Sequence, residues 1–327
     1  MNLLVSMRYL VALGEHKHFA RAAQACFITQ PALSNALRAL ETEFGAPIVK
    51  RGRTFVGFTA EGERLLDSAR RMLFEEQLLK QDLNSMGELV QGVLSIGVVP
   101  TAEPIAARFA ARLHQIHPGI SPVVRSMSSH DIEAGLVQLT LDLGLGFMER
   151  VQPAWARQIK TFPQYTEHYF LVRRQELPEV SVQLKSEMDQ PDLEMGQPMS
   201  WAEAAALPLC LMTSEMHNRH IVDAAFREAG VVVQPVLQTN SMLSLALSAL
   251  GGEVACILPG ALVGAVRPYR ELRAHLLVAP QISTTLGFMV QDVERLSRTQ
   301  EAALGLAQDP QWLELAAEHS GMLRRVI

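Results

Sequence analysis

Thr29-Gln30-Pro31-Ala32-Leu33-Ser34-Asn35-Ala36-Leu37-Arg38-Ala39-Leu40-Glu41 reads as a short helix with two unlike faces. The Thr29 hydroxyl can cap its start, and Pro31 sits in the first turn, where a missing N–H costs nothing. Leu33, Leu37 and Leu40 recur at helical spacing and make an apolar stripe. Gln30, Ser34, Asn35 and Arg38 stay on the opposite side. Gln and Asn can each bond two edge atoms of adenine, Arg two acceptors of guanine, and Ser either a base or a phosphate. A helix that offers those groups from one side suits the major groove of DNA.

The flanking sequence agrees. Before it, Phe19-Ala20-Arg21-Ala22-Ala23-Gln24-Ala25 is a short helix whose alanines admit a close neighbour, and residues 26–29 form the turn. Two helices joined by so short a turn make a helix-turn-helix. An earlier run, Leu3, Leu4, Met7, Leu10 and Val11, is a further helix, expected to end at Gly14. Beyond, Gly45-Ala46-Pro47 stops the recognition helix, and residues 48–58 read as a two-stranded wing with a glycine turn. Lys50, Arg51 and Arg53 on that wing would lie along the phosphate backbone or in a minor groove. Over residues 1–58 there are seven bases (Arg8, Lys17, Arg21, Arg38, Lys50, Arg51, Arg53) against three acids (Glu15, Glu41, Glu43). The whole chain carries −5, so the remainder carries −9. A basic head on an acidic body fits a modular DNA binder, because phosphates need local cations and not a basic whole.

Thr59 can cap another helix, running to about Val90, with Glu61 in its first turn. Leu65, Ala69, Met72, Glu76, Leu79, Leu83, Met86 and Val90 step along it by alternating fours and threes, and Glu76 alone breaks the apolar seam. Such a seam is a coiled-coil signal that pairs two chains; the other reading is a helix lying flat on its own domain.

From Gly92 strands and helices alternate, the mark of an α/β domain. Strands are expected near 93–99, from 123, at 141–147, 168–172, 209–212, 236–238, 254–258 and 284–290. Helices are expected to about Ile116, over 130–139, after Ser200-Trp-Ala-Glu203 (a capping box), from 216 to Gly230, and over 298–308. Residues 176–198, acidic with three prolines, read as a surface loop.

Taken together, residues 19–63 resemble the signature of LysR-type regulators: Phe19-Ala-Arg-Ala-Ala-Gln, Thr29-Gln-Pro-Ala-Leu-Ser-Asn, Phe44-Gly-Ala-Pro-Ile-Val-Lys-Arg and Phe58-Thr-Ala-Glu-Gly-Glu. Thr29 stands where the family usually has Ser, and Ile48-Val49-Lys50 replaces the common Leu-Phe-x. The resemblance implies a winged helix-turn-helix over 1–58, a dimerisation helix over 59–91, and a two-lobed, periplasmic-binding-protein-like α/β effector domain over 92–327. The first lobe would take about 92–165 and 272–327, the second about 166–271. It implies promoter DNA, a small-molecule effector, a second copy of the chain (dimer or tetramer) and RNA polymerase as partners, and no cofactor. By position, Thr29, Gln30, Pro31, Ser34, Asn35, Arg38, Arg51 and Arg53 would meet DNA. Residues 99–102, 141–144 and 216–219 look most like a subgroup found beside formate dehydrogenase genes.

Loops at the carboxyl ends of parallel strands are where an α/β cleft binds ligands. Here they offer Thr101, Ser126, Ser128, Ser129, Phe147, Thr213, Asn218, Asn240 and Ser241. The helix start after Pro100 favours an anion, although Glu103 would repel one if it pointed inward.

Other classes find less support. The 327 residues contain no GxSxG, GxGxxG, P-loop or HExxH, and the histidines His114, His117, His168, His217 and His220 show no metal-ligand spacing. An enzyme fused to a winged helix is therefore the weaker alternative. The chain has no run of eighteen apolar residues, and its opening Met1-Asn2-Leu3-Leu4 lacks the features of a secretion signal, so a cytoplasmic location is expected. Cys26, Cys210 and Cys256 lie far apart and read as buried thiols. A redox pair of Cys210 with Cys256 is the remaining alternative, with nothing basic beside either to lower a thiol pKa.

Overall fold

The computed structural model describes residues 2–50, 52, 54–84, 89–175 and 193–320. Arg51, Arg53, Met86 and most of the expected surface loop (176–192) lie outside the described residues.

Three helices build the head: α1 (Leu3–His16), α2 (Phe19–Ala25) and α3 (Gln30–Phe44). Asn2, His18 and Thr29 cap them, each side chain accepting a backbone N–H of the first turn. The expectation that Gly14 ends α1 is corrected. The helix continues to His16 and turns at Lys17 (φ 48°). Gly14 instead makes room for the next helix, since a Cβ there would meet the Leu66 side chain at 3.1 Å. Met7, Leu10, Leu13, Leu33, Leu37 and Leu40 are buried together with Ile48 and Phe58. Each such side chain contributes about 1.5–3 kcal/mol on burial, enough to give this small unit its own core. Among the described residues the wing pairs through a Val49–Phe58 bridge, the Lys50 N–H donating to the Gly57 carbonyl at 2.9 Å and the Thr59 N–H donating to the Ile48 carbonyl at 2.9 Å.

Helix α4 (Ala60–Asn84) starts where Thr59 Oγ1 accepts the Gly62 N–H at 2.9 Å. A Cβ on Gly62 would fall 2.1 Å from the Ile48 carbonyl oxygen, so only glycine lets α4 lie this close to the wing. The seam changes surroundings along the helix, and its first member, Leu65, packs half-buried against the head's core. Leu66 and Ala69 are buried in the head's core, whereas Met72, Leu79 and Leu83 are 41%, 57% and 68% exposed. Glu76, the break in the seam, is gripped by Arg8 at 2.6 Å and Lys80 at 2.8 Å. Val90 does not extend the seam; it packs against the core of the next domain.

The remaining elements are β1 (Gly92–Val98), α5 (Glu103–Ile116), β2 (Ile120–Ser126), α6 (Ser129–Val137), β3 (Leu143–Phe147), β4 (Ile159–Arg174), β5 (Glu194–Met195), β6 (Met199–Ser200), α7 (Trp201–Ala205), β7 (Leu209–Met212), α8 (His217–Glu228), β8 (Leu237–Thr239), α9 (Met242–Ser248), β9 (Ala255–Pro259), α10 (Gly260–Val266), β10 (Leu272–Val278), β11 (Ser283–Gln291), α11 (Arg298–Ala307) and α12 (Pro310–His319). The strands pair in the order β2-β1-β3-β11-β4-β9-β7-β8, with β10 also on β4.

One strand serves both lobes. The first part of β4, to His168, pairs with β11, and from Tyr169 onward it pairs with β9 and β10. The second lobe therefore includes β10, and the chain returns to the first lobe between Val278 and Ser283, not near residue 272 as expected. Phe109 stacks near Phe288 and Trp312 in the first lobe's core, with ring centroids 4.3 and 5.1 Å away. The second lobe has a core on each face of its sheet, because alternate residues of β4 point opposite ways: Phe170 and Val172 to one side, Tyr169 and Leu171 to the other. A bulge opposite Leu286 and Gly287 turns Gln164 inward. There its amide nitrogen donates to the Ala307 carbonyl at 2.9 Å, and its oxygen accepts from the Trp312 indole at 2.6 Å.

Candidate nucleic-acid interface and effector cleft

On α3 the apolar stripe is buried, and Gln30, Pro31, Asn35 and Arg38 are exposed on the other side, with Ser34 half-buried. Thr29 is engaged as the cap, accepting the Ala32 N–H at 3.4 Å. The Arg38 guanidinium donates to Asn35 Oδ1 at 3.4 Å, so the two side chains hold one another on the outer face. Glu41 fixes the helix to the wing by accepting the Ile48 N–H at 2.8 Å. The recognition face is thus anchored from behind and open in front.

In the sensor, a cleft of about 410 Å³ opens between the lobes. The carboxyl ends of the parallel strands β1, β2 and β3 supply Val99 to Thr101, Ser126 and Phe147, and the start of α6 adds Ser128 to His130. The facing wall is Glu215 to Asn218, His220 and Met242, from the starts of α8 and α9. The cleft therefore gathers Thr101, Ser126, Ser128, Ser129, Phe147 and Asn218. Thr213, Asn240 and Ser241 stand outside its wall: Thr213 donates to Glu215 at 2.7 Å, Asn240 is exposed, and Ser241 caps α9. Glu103 is exposed and is not part of the wall.

The wall's polar atoms differ in what they have left to offer. Ser128 is engaged: its hydroxyl accepts the Asp131 N–H at 3.1 Å and donates to the Asp131 carboxylate at 2.7 Å. Thr101 Oγ1 and Ser129 Oγ are buried with no partner among the described residues. A buried hydroxyl left unpaired costs about 1–3 kcal/mol; Ser129 opens α6, where backbone N–H groups favour negative charge, and Thr101 lines the same cleft. Three rings missed at the level of sequence complete the site. His217 meets Phe147 edge-on at 4.9 Å, His220 lies 6.3 Å from His217, and His130 packs on Trp155 at 5.4 Å. The spacing of His217 and His220 on one helix was the available signal; nothing local marked His130. A larger groove, about 930 Å³, lies between α5, α11 and α12 of the first lobe and is lined by apolar groups with Arg108, Arg112, His117 and Asp309.

Beside the cleft, Asn218 donates to the Tyr169 hydroxyl at 3.5 Å. Two residues along β4, Glu167 is fully buried and accepts only the Ala261 N–H, at 3.4 Å. Burial pushes its carboxyl up to about 8, so it is mostly neutral at pH 7. Burial likewise raises the Tyr165 and Tyr169 hydroxyls. Cys210 and Cys256 are cross-strand partners on β7 and β9. Burial raises both thiols, Cys256 to about 12, which leaves little of the thiolate that reacts with oxidants. Among the described residues, no cluster of three His, Cys, Asp or Glu side chains is arranged to hold a metal ion, and no helix is long and apolar enough to cross a membrane.

A winged helix-turn-helix joined by a helix to a two-lobed α/β domain with an interlobe cleft defines the class of one-chain regulators that couple a DNA head to a sensor. Residues 4–63 match the family described as bacterial regulatory helix-turn-helix protein, lysR family, and residues 87–310 match the LysR substrate binding domain. The chain belongs to the LysR family.

Over 137 residues it is 39% identical to the DNA-binding transcriptional dual regulator OxyR of Escherichia coli (strain K12), covering 42% of this chain and 45% of OxyR. It is also 39% identical over 121 residues to the SDS degradation transcriptional activation protein of Pseudomonas sp., covering 37% of this chain and 40% of that protein. The matched part is thus somewhat less than half the length of these relatives. Its fold resembles full-length OxyR from Pseudomonas aeruginosa (TM-score 0.65, 20% identity, 99% of each chain). It also resembles full-length CbnR in complex with its target DNA (TM-score 0.59, 18% identity, 96% of this chain and 99% of that one).

Proposed function

We propose that the chain is a sequence-specific, promoter-binding transcription regulator acting in the cytoplasm as a dimer or higher oligomer, switched by a small anionic metabolite in the interlobe cleft. Gln30, Pro31, Ser34, Asn35 and Arg38, with the wing arginines Arg51 and Arg53, make the DNA contacts, and RNA polymerase is the downstream partner. The observation that carries the effector reading is the pair of buried hydroxyls, Thr101 and Ser129, that line this cleft without partners among the described residues. An oxyanion accepting from both would satisfy them at once, while Phe147, Met127, Met216 and Met242 suit a short apolar remainder. Small carboxylates are the first to screen by thermal shift. A ligand at about a hundred times its Kd raises stability by roughly 2.7 kcal/mol. Thr101→Val should abolish the response of the carboxylate that works; a response unchanged in Thr101→Val removes the oxyanion reading of the site.

A second reading, response to peroxide, is favoured by the adjacency of Cys210 and Cys256 and by relatives named hydrogen peroxide-inducible genes activators. The raised thiols oppose it. Loss of promoter response on replacing either cysteine with Ser would support it.

A further inference from the structure

The cleft and the linker helix meet opposite ends of one element. Helix α6 gives its first turn, Ser129 and His130, to the cleft. Its last turn and the following Gln138 line a crevice of about 300 Å³ whose far wall is Asp67, Arg70 and Arg71 of α4. Trp155 stands in the same crevice, and its ring packs 5.4 Å from that of His130. Gln138 also faces the wing, sharing a second crevice with Gly57, Phe58 and Arg70.

Two polar atoms at this junction are buried without partners among the described residues. One is Nε of Arg70, whose side chain is only 9% exposed. The other is Oε1 of Gln291, whose amide nitrogen donates to the Val137 carbonyl at the end of α6, at 3.2 Å. An unmet donor and an unmet acceptor on residues that line one crevice make its present packing costly. Packed junctions move between discrete arrangements and do not yield continuously. A nine-residue helix spans roughly 13 Å and moves as a rigid body, so displacing its first turn displaces its last.

We propose that this crevice is the docking surface of the sensor on the linker helix of its own chain. Through it, α6 and the His130–Trp155 pair transmit the state of the cleft to the head. The proposal rests on the reading of head and cleft given above. Coupling between two sites is reciprocal, so DNA bound at the head must alter the cleft end of α6, and DNA alone is a sufficient probe.

The full-length chain is saturated with a duplex selected from random sequence by that same chain, and amide hydrogen exchange is followed over residues 128–137. Exchange in the first turn of α6 should change by about fivefold or more on duplex binding. In Arg70→Ala/Gln138→Ala, which removes no proposed DNA contact, that change should collapse while duplex affinity stays within about twofold. Trp155→Phe should weaken the same response without removing either docking side chain. A parent whose α6 exchange ignores bound DNA, or a double variant that keeps the full response, overturns the proposal. A parent that selects no duplex overturns the reading of the head, and this proposal with it.

Discussion

Arg38 and Ser34 project from the face of α3 that Leu33, Leu37 and Leu40 leave free. Replacing either with Ala should lower affinity for a selected duplex by about 1–3 kcal/mol at fixed salt, read by fluorescence anisotropy. Affinity unchanged in both variants removes α3 as the reading helix. These residues were recognisable before any fold was known, because helix period, cap and donor type are all local properties of thirteen consecutive positions. The cleft was only partly recognisable in the same way. Thr101 and Ser129 follow from strand ends, which a sequence marks with turn residues. Whether a hydroxyl keeps its bond to itself is another matter: Ser128 is occupied by Asp131, whereas Ser129, one position on, is open. That difference depends on side-chain direction at a helix start. The facing histidines belong to another lobe; their spacing on one helix shows that they share a face, and nothing local shows what that face meets.

Helix α4 divides its work along its length. Its first turns complete the head's core, and Met72, Leu79 and Leu83 continue as an exposed apolar stripe. Leu79→Glu/Leu83→Glu should convert an oligomer to monomers in sedimentation velocity and weaken binding to a two-half-site duplex, with melting of the head unchanged. An oligomer that survives both glutamates would place self-association elsewhere. The period of this helix was plain in its sequence, but its docking was not, because that depends on two glycines. Gly14 reads as a stop and Gly62 only as part of the Phe58-Thr-Ala-Glu-Gly-Glu stretch, yet they are the points where other backbone and side chains come close. In the sensor, strands with uniform apolar runs, such as β3 and β9, were found near their true limits. The first half of β4 was not, since Pro163 interrupts its alternation; the proline sits at the bulge, where the ladder tolerates it.

The two lobes share β4, and Glu167 lies on it just before the crossing. Its carboxyl titrates at about 8 when folded and near 4.5 when exposed. Below both values the proton is bound in either state. Between them only the unfolded chain releases it, so stability falls as pH rises through this window and levels off above about 8. The full difference is on the order of 5 kcal/mol. In urea unfolding at pH about 5 and about 9 the parent should lose midpoint and Glu167→Gln should lose much less; parallel losses would mean that this carboxyl does not govern the pH response.

The same shared strand bears on how the chain is made. The head is complete within its first seventy or so residues, up to Ala69. The first lobe, begun by β1, must wait for β11 and for Phe288 and Trp312 to arrive beside Phe109. The second lobe, translated in the interval, closes first. The head's core is therefore translated long before the first lobe's is complete, and a chain cut short after β10 leaves the first lobe with an unfilled apolar interior. A chain with so open a core is prone to aggregate, so the order of the strands leaves the first lobe exposed until the last of them is made.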